Sequence, residues 1–486
     1  MLNIAQSASA TIDPVRVEST DDMKRLFDTQ RAAFLAETYP SVSVRKDRLR
    51  RLLDLLVYNE QRIVDAAMAD FGYRSPQQSF FVEVVTTAKP IKEAIKRVER
   101  WMKPEKRTVD APFRLAGARA EVRYQPLGVV GCISPWNFPF NLSFAPLAGI
   151  LAAGNRAMIK PSEATPACAA LIEELVAASY DESEVAVVNG GPDVARVFIT
   201  LPFDHLLYTG GEAVAKHVMR AAADNLTPVT LELGGKSPVL IGKSANMRLA
   251  AERVIFGKML NAGQICLAPD HVFVPEGAID DFVAALKDAV RKTAPEDRKA
   301  ADFVSIVNDR HAERLRGYIV DARAQGAEII SFDWLGEGGD NLVPLTLVLN
   351  PDEKMAVMQE EVFGPILPIK GYRKLDDVFA YTARQPRPLA IYYFGSDDGE
   401  IRAVLENTQS GGVTINDVIM HYTIDTLPFG GVGASGMGAY HGFDGFKQFC
   451  HARAIYRQSP FDIGGALRPP YGRTFERVSR FLLKHG

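Results

Sequence analysis

From Asp21 to Lys103 apolar residues recur at intervals of three and four, as in RLRRLLDLLVYNEQRIVDAAM, until Pro104 ends the pattern. That spacing puts them on one face of successive helices, so a helical N-terminal layer is expected. ARAEVRYQPLGVVGCISP then alternates apolar and polar positions, turns at Pro126 and Gly128, and resumes as a continuous apolar run; the pattern predicts a hairpin arm leading inward. Between Ala157 and Leu233 the short apolar runs AMIK, VAVV, HLLY and VTLEL alternate with helical stretches such as ATPACAALIEELVAAS and GEAVAKHVMRAAAD. This is βαβ rhythm and implies a parallel sheet. A second series, VFVP, VSIV, EIIS, LTLVL, ILPIK, AIYYF and VTIN, predicts a second α/β domain from near Gly234 to near Val418. The two series do not repeat each other, and the glycine-rich stretch from Thr426 to Gly445 is expected to close a site.

The length of 486 residues suits two or three domains sharing a large core, and 47% hydrophobic with 24% charged residues excludes a disordered or fibrous chain. Fifty-six basic residues against 59 acidic ones leave a net charge of -3, so no single-sign field recruits nucleic acid. Cys132, Cys168, Cys266 and Cys450 are far apart and form no CxxC pair, which fits free thiols in a reducing, cytoplasmic setting. MLNIAQSASA lacks the basic start and apolar run of a signal and reads as a frayed, polar N-terminus. No window approaches the roughly 18 to 20 apolar residues of a membrane span.

Several familiar fingerprints fail on inspection. Gly431, Gly433 and Gly436 satisfy GxGxxG, yet they follow no clear strand and open no convincing helix. The two GKS tripeptides at Gly235 and Gly242 lack the opening glycine of a phosphate loop, since Thr230 and Ser237 stand there. Met437 breaks a GxSxG elbow around Ser435, and the eight histidines offer no metal-ligand pair, so no metal is expected.

Three short stretches carry chemistry. In NAGQICLAP, Cys266 follows small residues that would leave space for a substrate, with a helix from Arg248 to about Leu260 lifting the thiol from the core. A thiol at its ordinary pKa of about 8.5 needs a field or a base to become nucleophilic. In TLELGGKSP, Glu232 ends an otherwise apolar strand, where burial would raise its pKa into the range of a general base. In SPWNFPFNL two prolines stiffen the chain around Trp136 and Asn137, and a rigid amide suits an oxyanion hole. Each has a bland alternative when taken alone: an inert buried cysteine, a carboxylate in an edge ion pair, an asparagine capping a turn.

PWNFP, KPSE, ELGGK, GQIC, EEVFGP and PFGG occur in this order. With them the chain resembles the NAD(P)-dependent aldehyde dehydrogenase superfamily from about Asp21 to Arg457. GMGAYHG at Gly436 to Gly442 is similar to the class 3 branch, and MHYTIDTLPFGGVGASGMGAYHGFDGF most resembles bacterial coniferyl aldehyde dehydrogenases. The resemblance implies an α/β aldehyde dehydrogenase fold in three parts. A Rossmann-like dinucleotide-binding domain would span 1–106 and 128–233, a catalytic α/β domain 234–420, and a small β oligomerisation arm 107–127 and 421–460. A C-terminal tail would follow at 461–486.

It implies Cys266 as nucleophile, Glu232 as base, and Asn137 with the Cys266 backbone amide as oxyanion hole. Lys160 and Glu163 would bind the adenosine ribose, Gly210 and Gly211 the pyrophosphate, Glu361 the nicotinamide ribose, and Trp136, Leu233 and Phe363 would pack beside the cofactor. That cofactor would be NAD, with NADP possible, because Glu163 should repel a 2′-phosphate while Lys160 softens the effect. Gly211 stands where many relatives carry serine, which puts one hydroxyl contact in doubt. The implied reaction is oxidation of an aromatic, coniferyl-type aldehyde to its acid through a thiohemiacetal and a thioester. Medium or long-chain aliphatic aldehydes are the alternative. A CoA-acylating enzyme or an inactive binding protein on the same scaffold are further rivals, the first opposed by the presence of Glu232. The arm implies a homodimer, with no membrane or nucleic-acid partner.

Overall fold

The computed structural model describes residues 20–293, 303–332 and 341–485; the polar N-terminus expected over the first residues lies outside that range. The helical layer forms as the periodicity demands, with helices Thr20–Ala36, Val42–Val57 and Glu60–Phe71. Ser41 caps the second by accepting from the Val44 amide at 3.3 Å. A further helical run from Pro76 to Trp101 is interrupted by a π segment, Phe80–Val85.

These helices pack on Pro139–Ala153, a helix apolar all round and buried along its whole length. Its C-terminal carbonyls would be orphaned in so dry a place. The Arg45 guanidinium donates to Ala152 and Ala153 at 2.9 and 2.8 Å, which places a cation at the negative end of the helix.

Three sheets organise the chain. The first has the order Gly436–Met437, Val229–Glu232, His205–Thr209, Val129–Ile133, Arg156–Lys160, Val185–Val187, with the first strand antiparallel and the rest parallel. Chain order runs outward one way from Val129–Ile133 and then resumes on its other side at His205–Thr209. This is the topological switch at which open α/β sheets bind ligands beyond their strand C-termini. The second sheet has seven strands in the order Glu328–Ser331, Thr346–Leu349, Ile366–Tyr372, His271–Pro275, Pro238–Ile241, Ala390–Phe394, Gly412–Ile415, antiparallel only in its first pair. The third is the arm: Glu105–Arg107, Arg119–Pro126 and Cys450–Arg457.

Three expectations change. Arg119–Pro126 and Val129–Ile133 form no hairpin: the former pairs with Cys450–Arg457, while the latter runs through the middle of the first sheet. Leu127 and Gly128 carry the chain across, both amides held by Asn155 Oδ1 at 2.7 and 3.0 Å. VSIV forms no strand, only a bridge between Val304 and Arg74. Gly436–Met437, expected within the arm segment, instead edges the first sheet opposite Glu232 and Leu231. No described helix is long and apolar enough to cross a membrane.

Gly436 is tight for a physical reason. Its φ is +140°, and a Cβ there would stand 2.1 Å from the Leu231 carbonyl oxygen, which as backbone cannot yield. Gly436→Ala is therefore expected to detach this edge strand and lower the thermal unfolding midpoint, whereas the open Gly211→Ala should leave it unchanged. Thermal unfolding of both variants followed by circular dichroism checks this.

Candidate active site

Only Leu233 to Ser237 separates the last parallel strand of the first sheet from Pro238–Ile241 of the second. So short a link brings the strand C-termini of one sheet against the strand N-termini of the other. The motif residues collect along this seam: Trp136 and Asn137 follow Val129–Ile133, Lys160 ends its strand, Gly210 and Gly211 follow His205–Thr209, and Glu232 ends its own. From the second sheet come the loops that carry Cys266 and Glu361.

The Cys266 loop is built by an unusual turn. Asn261, Ala262 and Gly263 have φ of +50°, +52° and +73° in succession, a left-handed path that costs a residue such as alanine roughly 1–2 kcal/mol. A Cβ on Gly263 would meet the Gly364 carbonyl oxygen at 2.4 Å. The small residues therefore do not leave space for a substrate, as the sequence suggested. They are buried, and they let the main chain turn against the Glu361 loop.

Gln264 staples this turn. Its amide nitrogen donates to Asn261 and Ser305 carbonyls at 3.0 and 3.1 Å, and its oxygen accepts from the Val307 amide at 3.0 Å. Asn137 is buried against the same loop, its side-chain amide donating to the Gln264 carbonyl at 3.0 Å. An amide carries a second N–H donor besides this one.

The electrostatics around Cys266 are those of a protonated resting thiol. Burial, then the nearby Glu361 and Glu232 carboxyls, push it up to about 12, and only the backbone amides of Cys266 and Leu267 act the other way. Glu232 is buried, and neither carboxyl oxygen has a hydrogen-bond partner among the described residues. Burial alone raises its pKa well above the ordinary range. Of the two, the carboxyl becomes a base for the thiol or for a water only once it is ionised, which its raised pKa moves toward the working range.

Glu361 is pushed up to about 7 by burial, opposed by the hydrogen bond it accepts from the Gly235 amide at 2.9 Å. A Cβ on Gly234 would stand 2.3 Å from both Glu361 oxygens, so a side chain there would push the Glu361 carboxyl from this position. Phe363 (φ +46°) packs edge-on to Trp136 at 5.5 Å.

Lys160 is buried, donates to the Pro161 carbonyl at 2.7 Å and pairs with half-exposed Glu163 at 3.5 Å. Burial lowers its pKa while Glu163 opposes the shift. Gly211 caps the helix Glu212–Asp224, so free amides face the strand ends. Gly210 donates to the Glu232 carbonyl at 3.0 Å, and Leu233 to that of Ser435 at 3.0 Å. These groups fit a dinucleotide: diol-binding charges at one strand end, an anion-favouring helix start on the far side of the Val129–Ile133 strand, and a carboxyl near the thiol.

The family model described as aldehyde dehydrogenase family matches residues 3–455. The chain belongs to the aldehyde dehydrogenase family. This aldehyde dehydrogenase is 51% identical to a probable coniferyl aldehyde dehydrogenase of Caulobacter vibrioides, with 95% of this chain and 96% of that one aligned. It is 48% identical to a coniferyl aldehyde dehydrogenase of Pseudomonas sp., with 94% and 95% aligned. Among solved structures, the substrate-bound state of Staphylococcus aureus AldH superimposes with a TM-score of 0.89 at 38% identity, covering 95% and 99% of the two chains. A betaine aldehyde dehydrogenase of the same organism, solved with NAD+, gives a TM-score of 0.80 at 25% identity over 92% and 88%.

Sequence reasoning missed the residues that hold this enzyme's site together. Asp270 accepts from Lys236 at 2.6 Å and from the Val362 amide at 2.9 Å, so it ties ELGGK, the end of the Cys266 loop and the Glu361 loop at one point. The single acid closing CLAPD was the available signal, but nothing in its position distinguishes a hub from a surface acid.

Because Glu232 keeps a proton that the unfolded chain releases above the ordinary carboxylate range, its burial costs no stability at low pH and progressively more as pH rises. Replacing it with glutamine removes that cost. Glu232→Gln should therefore stabilise the protein more at pH 8 than at pH 5, by up to about 1.4 kcal/mol per pH unit while Glu232 stays protonated. Denaturant unfolding at the two pH values measures the difference, and an equal effect at both would contradict the assignment.

Proposed function

We propose that this enzyme oxidises aromatic, coniferyl-type aldehydes to carboxylic acids with NAD, and that Cys266, Glu232 and Asn137 carry the chemistry. The observation that supports it most is the unpartnered, buried Glu232 carboxyl set near a thiol that is itself held protonated. The substrate class follows the names of the relatives at 48–51% identity.

In this reading the ionised Glu232 carboxylate takes the Cys266 proton as the sulfur adds to the aldehyde carbon, forming a C–S bond and turning the C=O into an anionic oxygen. Glu232 releases that proton to solvent before the second step. Asn137 and the Cys266 amide donate to that oxygen, and one such donor is worth roughly 3–4 kcal/mol. Bound nicotinamide supplies the hydride acceptor. The acyl group then rests on Cys266 as a thioester, and Glu232 takes a proton from the water that attacks it. The C–S bond breaks, releasing acid and thiol. The short junction between the sheets fixes the geometry of both steps.

Lys160 and Glu163 would hold the adenosine ribose, with Glu163 disfavouring a 2′-phosphate, and Glu361 the nicotinamide ribose. Trp136, Phe363, Gly210, Gly211 and Leu233 would form the walls and phosphate end. The arm strand Cys450–Arg457 has one hydrogen-bonded neighbour, Arg119–Pro126, and its other edge suits pairing with a second copy in a homodimer.

Cys266→Ala should abolish aldehyde-dependent NADH formation while leaving NAD binding within about twofold of wild type; turnover retained in the purified variant would end this reading. Steady-state kinetics should give a higher kcat/KM for coniferaldehyde than for a medium-chain aliphatic aldehyde, and for NAD than for NADP. The reverse order in either pair would move the assignment to the corresponding alternative.

A further inference from the structure

Beneath the site lies a buried ion pair whose mutual attraction alone does not account for its presence. Arg74 and Glu83 are both fully buried, 2.8 Å apart. A buried ion pair recovers from Coulomb attraction little more than it loses in desolvation, and apolar residues of similar volume are often at least as stable. Glu83 also lies in the π segment Phe80–Val85, a helix form that occurs mostly at functional sites.

The contacts of the pair converge on Asn137. Glu83 Oε2 accepts from the Phe140 and Asn141 amides at 3.1 and 3.0 Å, the first turn of the helix that begins two residues after Asn137. Arg74 Nη2 donates to the Asn137 carbonyl at 3.2 Å, and Asn261 Nδ2 donates to the same oxygen at 3.1 Å. The guanidinium lies over Phe71 at 4.6 Å and Phe138 at 5.4 Å, which keeps its plane in place.

The backbone around Arg74 completes a circuit. Ser75 donates to Phe303 and Ser305 to Tyr73, at 3.1 and 2.9 Å, around the Arg74–Val304 bridge. The Ser305 carbonyl is one of the two oxygens that receive the Gln264 side chain. The Gln264 carbonyl receives Asn137 Nδ2. Arg74 therefore touches Asn137 directly and reaches it again by way of the cysteine loop.

We propose that Arg74 and Glu83 are positioning residues for the oxidation, fixing the main chain on both sides of Asn137 so that its side-chain amide meets the oxygen of the adduct on Cys266. The inference rests on the reading of Asn137 as the oxyanion donor. Its distinguishing consequence is that the pair acts only through that one side chain.

The test is a cycle between the apolar double variant Arg74→Met/Glu83→Leu and Asn137→Ala. The double variant is expected to unfold below the wild-type midpoint, because the Phe140 and Asn141 amides lose their acceptor, but to stay folded and bind NAD unchanged, yet to lose about tenfold or more in kcat, a part of the 10²–10³ that a whole donor supplies. In the Asn137→Ala background the same replacement should cause no further loss. An equal factor in both backgrounds, or an unchanged kcat in the folded double variant, overturns the proposal. Unchanged kcat in Asn137→Ala alone would instead overturn the oxyanion reading and this proposal with it. Should the apolar pair not fold, Arg74→Lys serves in the same cycle. It keeps the charge but lacks the fork that reaches Glu83 and the Asn137 carbonyl together, so the same non-additive loss is expected and an additive one contradicts it.

Discussion

A carboxyl group buried without a partner is the constraint around which this molecule is arranged. Glu232 stands at the end of a parallel strand with both oxygens unpaired among the described residues, next to a thiol that the same dry surroundings keep protonated. Other buried polar side chains in the fold do find partners: Arg45 reaches helix carbonyls, Asp270 a lysine and two neighbours, Asn155 the chain crossing beside it. Leaving Glu232 unanswered is unfavourable for folding. In the proposed reaction that cost is offset by the proton exchanged there.

The rest of the architecture maintains that arrangement. The link from Leu233 to Ser237 is too short to let the sheets drift, so strand C-termini of one meet strand N-termini of the other. Across this seam the contacts are mutual. The Glu361 carboxyl accepts from Gly235, Asp270 joins Lys236 to Val362, and Gln264 ties the cysteine turn to the segment 305–307. The left-handed run Asn261–Gly263 stores strain in the loop that carries Cys266, and the packing of Gly263 against Gly364 holds it there. Cofactor-facing groups and the thiol thus belong to one packed body, not to two that must find each other.

Much of this was legible in the residues. The helical layer follows from the 3.6-residue period and the two largely parallel sheets from short apolar runs alternating with helical stretches, and Glu232 stood out as a charged residue closing an apolar strand. What the pattern could not carry was partnership. Period-2 alternation says that Arg119–Pro126 is a strand, but not that it joins Cys450–Arg457, more than 300 positions on, in preference to the run directly after it. VSIV has the composition of a strand and makes a single bridge, because its amides go to Tyr73 and to Gln264. Glu83 was hidden for a different reason. Its stretch reads as an amphipathic helix, and the π segment shifts which face turns inward, so no 3.6-residue count marks that glutamate as buried. The cysteine turn was misread because glycine and alanine serve backbone geometry as readily as they make room.

The account stands on Cys266 and Glu232 acting in turn on one carbonyl carbon. Acid quenching of the enzyme during turnover with NAD and coniferaldehyde, followed by peptide mass spectrometry, tests this directly. The expected result is an acyl group on the Cys266 peptide that is brief in the wild type and accumulates in Glu232→Gln. An acyl group on another cysteine, or one with the same lifetime in both proteins, would contradict it.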